Sequence, residues 1–180
     1  MDENEFKNIV YNELKRNLPK YMVEKNESLL YKLFIDAQGK LSPSNFDNPK
    51  RGQLAFQTDI LIKRKSDKVP LVVIETKYRG FSTHNVLIYS TKALKHKEVY
   101  PYARYGFVIG GKSEISKKFF IHNSGFDFAF AIRTMQNDLM QNDLKELIDI
   151  VRKQIEASKH MLDVLKDRKV RKYVANIELA

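Results

Sequence analysis

The run "VPLVVI", Val69 to Ile74, is apolar at every position and ends in Glu75-Thr76-Lys77. A strand with one face in water alternates in polarity; a strand apolar throughout is buried on both faces. A sheet built around such a strand must be covered by helices on each side, which points to an α/β chain. The preceding run, "QLAFQTDILIK" (53–63), reads as a second strand, and "RKSDK" (64–68) as the turn folding the two into a hairpin. "SLLYKLFIDA" (28–37), "YGFVIGG" (105–111) and "GFDFAFAI" (125–132) read as further strands, and "GKLSPSNFDNPKRG" (39–52) as a turn-rich loop.

Three segments have helical period. Asp2 with Glu5 forms a capping-box pattern, and Phe6, Ile9, Val10, Leu14 and Leu18 follow it before Pro19. Residues 82–100 read as a helix opened by Ser82 or Thr83. Beyond Gln136 one stripe runs through Met140, Leu144, Leu147, Ile148, Val151, Ile155, Leu162 and Leu165, predicting a helix to about Tyr173. The chain thus divides into an α/β core, 1–135, and a helical extension, 136–180. The stripe is broader than a coiled-coil seam, so it either packs back on the core or pairs with a copy of itself. Pairing would make a homodimer.

The sequence has 180 residues, 43% hydrophobic and 30% charged, which suits one packed domain rather than a disordered chain. No stretch approaches the roughly 18 apolar residues of a membrane span. The polar start "MDENEFKN" does not read as a secretory signal. With no cysteine there is no disulfide, thiolate metal site or Cys nucleophile, and a cytoplasmic location is expected. Net charge is +10, and it is uneven: residues 136–180 hold 9 basic and 8 acidic side chains, leaving 23 and 14 on residues 1–135. That excess favours a polyanionic partner, nucleic acid before an acidic membrane.

The basic core also holds misplaced acids. Glu75 and Lys77 are two apart and face the same side of the pleat. Pairing about the turn brings Asp59 near Glu75. Adjacent carboxylates repel, and burying them uncompensated is costly. A divalent cation such as Mg²⁺, with Mn²⁺ as substitute, removes both problems because it takes one or two carboxylates plus waters and phosphate oxygens. Lys77 would orient a water or stabilise phosphate charge. Glu13 lies seven residues after Phe6, within about 20° of it around the helix, so a further ligand can come from the first helix.

Asp59, then Glu75-Thr76-Lys77 closing an apolar strand, resembles the PD-(D/E)XK nuclease superfamily, with Thr58 where the family name has proline. The element order over residues 3–131 is similar to its restriction-endonuclease-like core, a mixed central sheet flanked by helices. The resemblance implies a Mg²⁺-dependent DNA endonuclease, most simply of restriction type, acting on double-stranded DNA. It implies metal on Asp59 and Glu75, help from the Thr76 carbonyl, and a water positioned by Lys77. Glu13 matches the acid often supplied by the first core helix. A structure-selective, junction-resolvase-like nuclease keeps the same site; a non-catalytic nucleic-acid-binding protein would use the acids only structurally.

Arg79, Tyr89 and Lys92 follow the Glu75 strand and are candidate nucleic-acid contacts, as are Lys50 and Arg51 in the preceding loop. His84, His96, His122 and His160 lack metal-ligand spacing. "GFVIGGKS" (106–113) satisfies a phosphate-loop pattern, but its variable positions read as buried strand, so nucleotide binding through Lys112 is not expected.

Overall fold

The computed structural model describes all 180 residues except 45, 47, 48, 51, 53, 135, 136, 175 and 176. Helix α1 spans Glu3–Asn17, and strands β1 (Tyr21–Lys25), β2 (Ser28–Leu30), β3 (Phe34–Ile35), β4 (Leu41–Ser42), β5 (Ala55–Gln57), β6 (Ile60–Arg64) and β7 (Pro70–Tyr78) follow. Then come α2 (Thr83–Val99), β8 (Arg104–Gly110), α3 (Lys117–His122), β9 (Phe128–Ile132) and α4 (Asn137–Leu165). The central sheet has five strands in the order β1-β6-β7-β8-β9. Its first two pairings are antiparallel and its last two parallel, so the sheet is mixed. β7 is central and buried from Pro70 to Thr76, as its unbroken apolar run requires.

Helices cover both faces. Phe6, Val10 and Leu14 of α1 pack with Ile60, Ile62, Val72 and Ile74. Val86 and Ala93 of α2 and Phe119 of α3 pack with Leu61, Val73, Tyr105 and Phe107 on the other side. The capping box forms as the sequence requires, with the Glu5 N–H donating to Asp2 Oδ1 at 2.8 Å. Leu144, Leu147, Ile148, Val151, Ile155 and Leu162 of α4 join the α1 cluster. The α4 stripe from Met140 to Leu162 therefore packs on the protein's own core, while Leu165 at its end is exposed. No helix among the described residues is long and apolar enough to cross a membrane.

Five readings change. The 28–37 and 53–63 runs each break into two strands, β1 and α3 were not anticipated, and α4 ends at Leu165 rather than near Tyr173. Asp167, with φ of 75°, turns the chain out of the helix.

α1 approaches β8 so closely that a Cβ on Gly110 would enter the Phe6 ring. Gly110→Ala is expected to cost about 1–3 kcal/mol, the usual range for overpacking. Urea denaturation should show a lower midpoint with an unchanged slope.

Candidate active site

The site forms where the β6–β7 ladder is interrupted. Ile60 pairs with Ile74, and continuing that register sets Asp59 opposite Glu75 and Thr58 opposite Thr76. The ladder does not continue. Thr58 turns to β1's side, its N–H and hydroxyl donating to the Glu27 carbonyl at 2.8 and 3.0 Å. The facing chain accommodates this with a left-handed residue, Asn26, at φ 59°. The Asp59 side chain takes the vacated place: its Oδ2 accepts from the Thr76 N–H at 2.8 Å and the Thr76 hydroxyl at 3.0 Å. The Thr76 carbonyl, on the same side of β7, loses Thr58 as its ladder donor.

Asp59, Glu75 and Lys77 lie on the α2 face, each with an ammonium or carboxylate partner. Lys7 of α1 reaches Asp59 Oδ1 at 3.5 Å. Glu75 is 2% exposed, and its Oε1 accepts from Lys92 Nζ at 2.7 Å and from the Tyr105 hydroxyl at 2.9 Å. Burial first, and then the Asp59 charge, pushes the Glu75 carboxyl above the usual range against the pull of Lys92. Burial also raises the Tyr105 hydroxyl, reinforced by Glu75. Lys77 donates to Glu3 Oε1 at 2.7 Å and stands 5.7 Å from the Tyr89 ring centre. Burial alone would lower its pKa, but Glu3 and Tyr89 together outweigh that and raise it. Lys77 is thus an ammonium, suited to hold an anion and not to remove a proton.

Asp59, Glu75, Thr76, Lys77, Tyr89 and Lys92 therefore converge, and Arg79 follows just beyond the end of β7. Lys92, read as a phosphate contact, neutralises Glu75 here and donates to the Gln57 carbonyl. Glu13 does not join them. It is held by Arg16 at 2.5 Å and Asn17 at 2.9 Å, near the far end of α1, about 15 Å along the axis from Glu3. Lys50 is exposed, and its neighbour Pro49 lines a cleft with Asp67, Lys68 and Pro70 at the turn end of the hairpin, away from Glu75. Arg51 lies outside the described residues. Sequence reading missed Glu3, Lys7 and Tyr105. The signal for Tyr105 was available: a tyrosine inside a buried strand needs a partner for its hydroxyl.

Among the described residues no three His, Asp or Glu side chains gather into a metal cluster. The oxygens present still fit a hard divalent cation: a carboxylate from the bend before β6, one from β7, and a carbonyl released from its ladder, with waters completing the shell. Lys92 currently supplies the positive charge that Glu75 needs.

His96 of α2 packs behind this group, fully buried, with Nε2 3.1 Å from the Leu29 carbonyl. Burial, with Lys92 nearby, lowers its pKa to about 3. The folded protein keeps His96 neutral while the unfolded chain accepts a proton below about 6.5. The group therefore stabilises the fold fully above that pH, and this contribution falls by about 1.4 kcal/mol per pH unit as pH drops toward 3. His96→Gln should flatten the wild-type loss of stability between pH 6 and 4, read by urea denaturation.

The "GFVIGGKS" segment resolves as strand: Gly106 to Gly110 lie within β8, so no loop is available to wrap a nucleotide's phosphates. No family model matches the chain, and no curated protein matches it.

Proposed function

We propose that the protein is a Mg²⁺-dependent DNA endonuclease with a restriction-endonuclease-like core, hydrolysing phosphodiester bonds in double-stranded DNA. What carries this reading is the carboxylate of Asp59 bonded to the Thr76 N–H and hydroxyl, next to Glu75 at the carboxyl end of β7, with Lys77 two residues on. Asp59, Glu75 and the Thr76 carbonyl would hold the cation. Bound there, Mg²⁺ would offset phosphate charge and acidify a water. Lys77 binds a non-bridging phosphate oxygen as an ammonium, steadied by Glu3. With a cation held there, Lys92 would no longer be needed to neutralise Glu75 and would be free to contact a phosphate. Tyr89, between Lys77 and Lys92, limits water beside both.

One observation favours a second reading, a nucleic-acid-binding protein without catalysis: Lys7 and Lys92 already neutralise both acids. Incubating the protein with plasmid and with four-way DNA junctions, with Mg²⁺ or Mn²⁺ and with chelator, separates the two. Metal-dependent cleavage supports the enzyme, and preference for junctions over plain duplex marks a structure-selective one. Intact DNA under every metal condition rejects the enzyme.

A further inference from the structure

We propose a second anion site, a cationic cleft just past the carboxyl ends of β7 and β8 that binds a backbone phosphate of a nucleic-acid strand. It deepens the nuclease reading and rests on it for the identity of the strand. β7 and β8 run parallel and their pairing ends at Tyr78 and Gly110. Both chains then leave the sheet through left-handed residues, Arg79 at φ 64° and Gly111 at φ 75°. The Arg79 N–H donates back to the Gly110 carbonyl at 2.7 Å, fixing the start of the divergence. Between the two connections opens a cleft of about 360 Å³, a crevice at the carboxyl ends of parallel strands, where open α/β sheets bind ligands.

Its charge differs from that of the neighbouring acids and lysines. Lys7, Lys77 and Lys92 are each matched to a carboxylate. Arg79, Lys112 and Lys118 line the cleft and form no ion pair among the described residues, while Glu114 is the one acid lining it. Two of these cations rest on aromatic rings that hold them without neutralising them. The Arg79 guanidinium is 5.4 Å from the Tyr78 ring centre, and Lys118 Nζ is 4.9 Å from that of Phe81. Ser113 and Ser116 add hydroxyl donors. Three unpaired cations, one acid and two hydroxyls suit a phosphate group. Arg79 is two residues past Lys77, about 7 Å along an extended chain. A strand whose phosphate meets Lys77 would therefore pass over this cleft. Lys112, from the false phosphate loop, finds its use here.

The test measures binding, not cleavage. Labelled duplex DNA is titrated with the full chain in chelator at several salt concentrations, read by fluorescence anisotropy. Lys112→Ala/Lys118→Ala should weaken binding roughly tenfold and reduce the slope of log K against log salt by about 1–2, one contact accounting for about 0.9. Lys112→Arg/Lys118→Arg should restore the slope, and Lys145→Ala/Lys153→Ala, on the outer face of α4, should leave it unchanged. An unchanged slope in the first variant overturns the proposal. So does a variant that loses ATP or inorganic phosphate binding while its DNA binding stays intact. A wild-type protein that never cleaves DNA but keeps the lysine-dependent slope rejects the nuclease and supports the cleft.

Discussion

Asp59→Asn is expected to lower metal-dependent DNA cleavage by about a thousandfold while the protein stays folded. Asparagine retains an oxygen that can accept from the Thr76 N–H and hydroxyl, so the bend at Thr58 keeps its local bonds. The ion pair given up is with Lys7, at 3.5 Å, and Asp59 is 24% exposed, so its loss is cheap in stability. What disappears is one of two carboxylate charges offered to a divalent cation. Metal stabilisation of phosphoryl charge is worth several kcal/mol, and each 1.36 kcal/mol is about tenfold in rate. Single-turnover cleavage of plasmid, with the melting curve as a folding control, measures both. Cleavage near the wild-type rate in a folded variant would remove Asp59 from the chemistry.

The parts of this site legible in the sequence follow from strand period. β7 could be read as central because no position between Val69 and Ile74 is polar. Glu75 and Lys77 share a face because alternate residues do, and counting back through the turn set Asp59 near Glu75. The break at Thr58 was not legible. It depends on the carbonyl of Glu27, thirty-one residues earlier, and on the left-handed turn at Asn26. No periodicity within 53–63 encodes either.

The first helix illustrates a different limit. Rotation of 100° per residue told which face Glu13 occupies but not how far along the axis the sheet's acids lie. They lie at the other end, where Glu3 and Lys7 reach Lys77 and Asp59. Lys92 was visible as a cation on the helix after β7, yet its burial against Glu75 arises from how α2 crosses the sheet. The α4 stripe shows the same ambiguity resolved: an apolar face signals that something covers it, and here the cover is α1 and the sheet.

Lys92→Met should be the most destabilising single change in the site. Methionine keeps the length and flexibility of the lysine stem, so the loss isolates the charge. Glu75 is 3% exposed in its side chain and would be left with the Tyr105 hydroxyl but without its cation. Removing one partner of a buried pair typically costs about 3–5 kcal/mol because the remaining charge is uncompensated. The carboxyl is already held above its usual range by burial, and without Lys92 it rises further. A protonated Glu75 carries no charge to compensate, so the deficit of Lys92→Met relative to wild type should shrink as pH falls. Lys92→Met/Glu75→Gln should recover most of the loss at neutral pH. Divalent cation gives the sharpest contrast, since a ligand at about 100 times its dissociation constant adds about 2.7 kcal/mol to a folded state that alone binds it. In wild type the cation must displace Lys92; in the variant that place is open. Mg²⁺ should therefore raise the melting temperature of Lys92→Met more than that of wild type. Equal shifts in the two proteins would mean that the cation does not bind at Glu75, and a variant as stable as wild type would mean that Glu75 carries no buried charge.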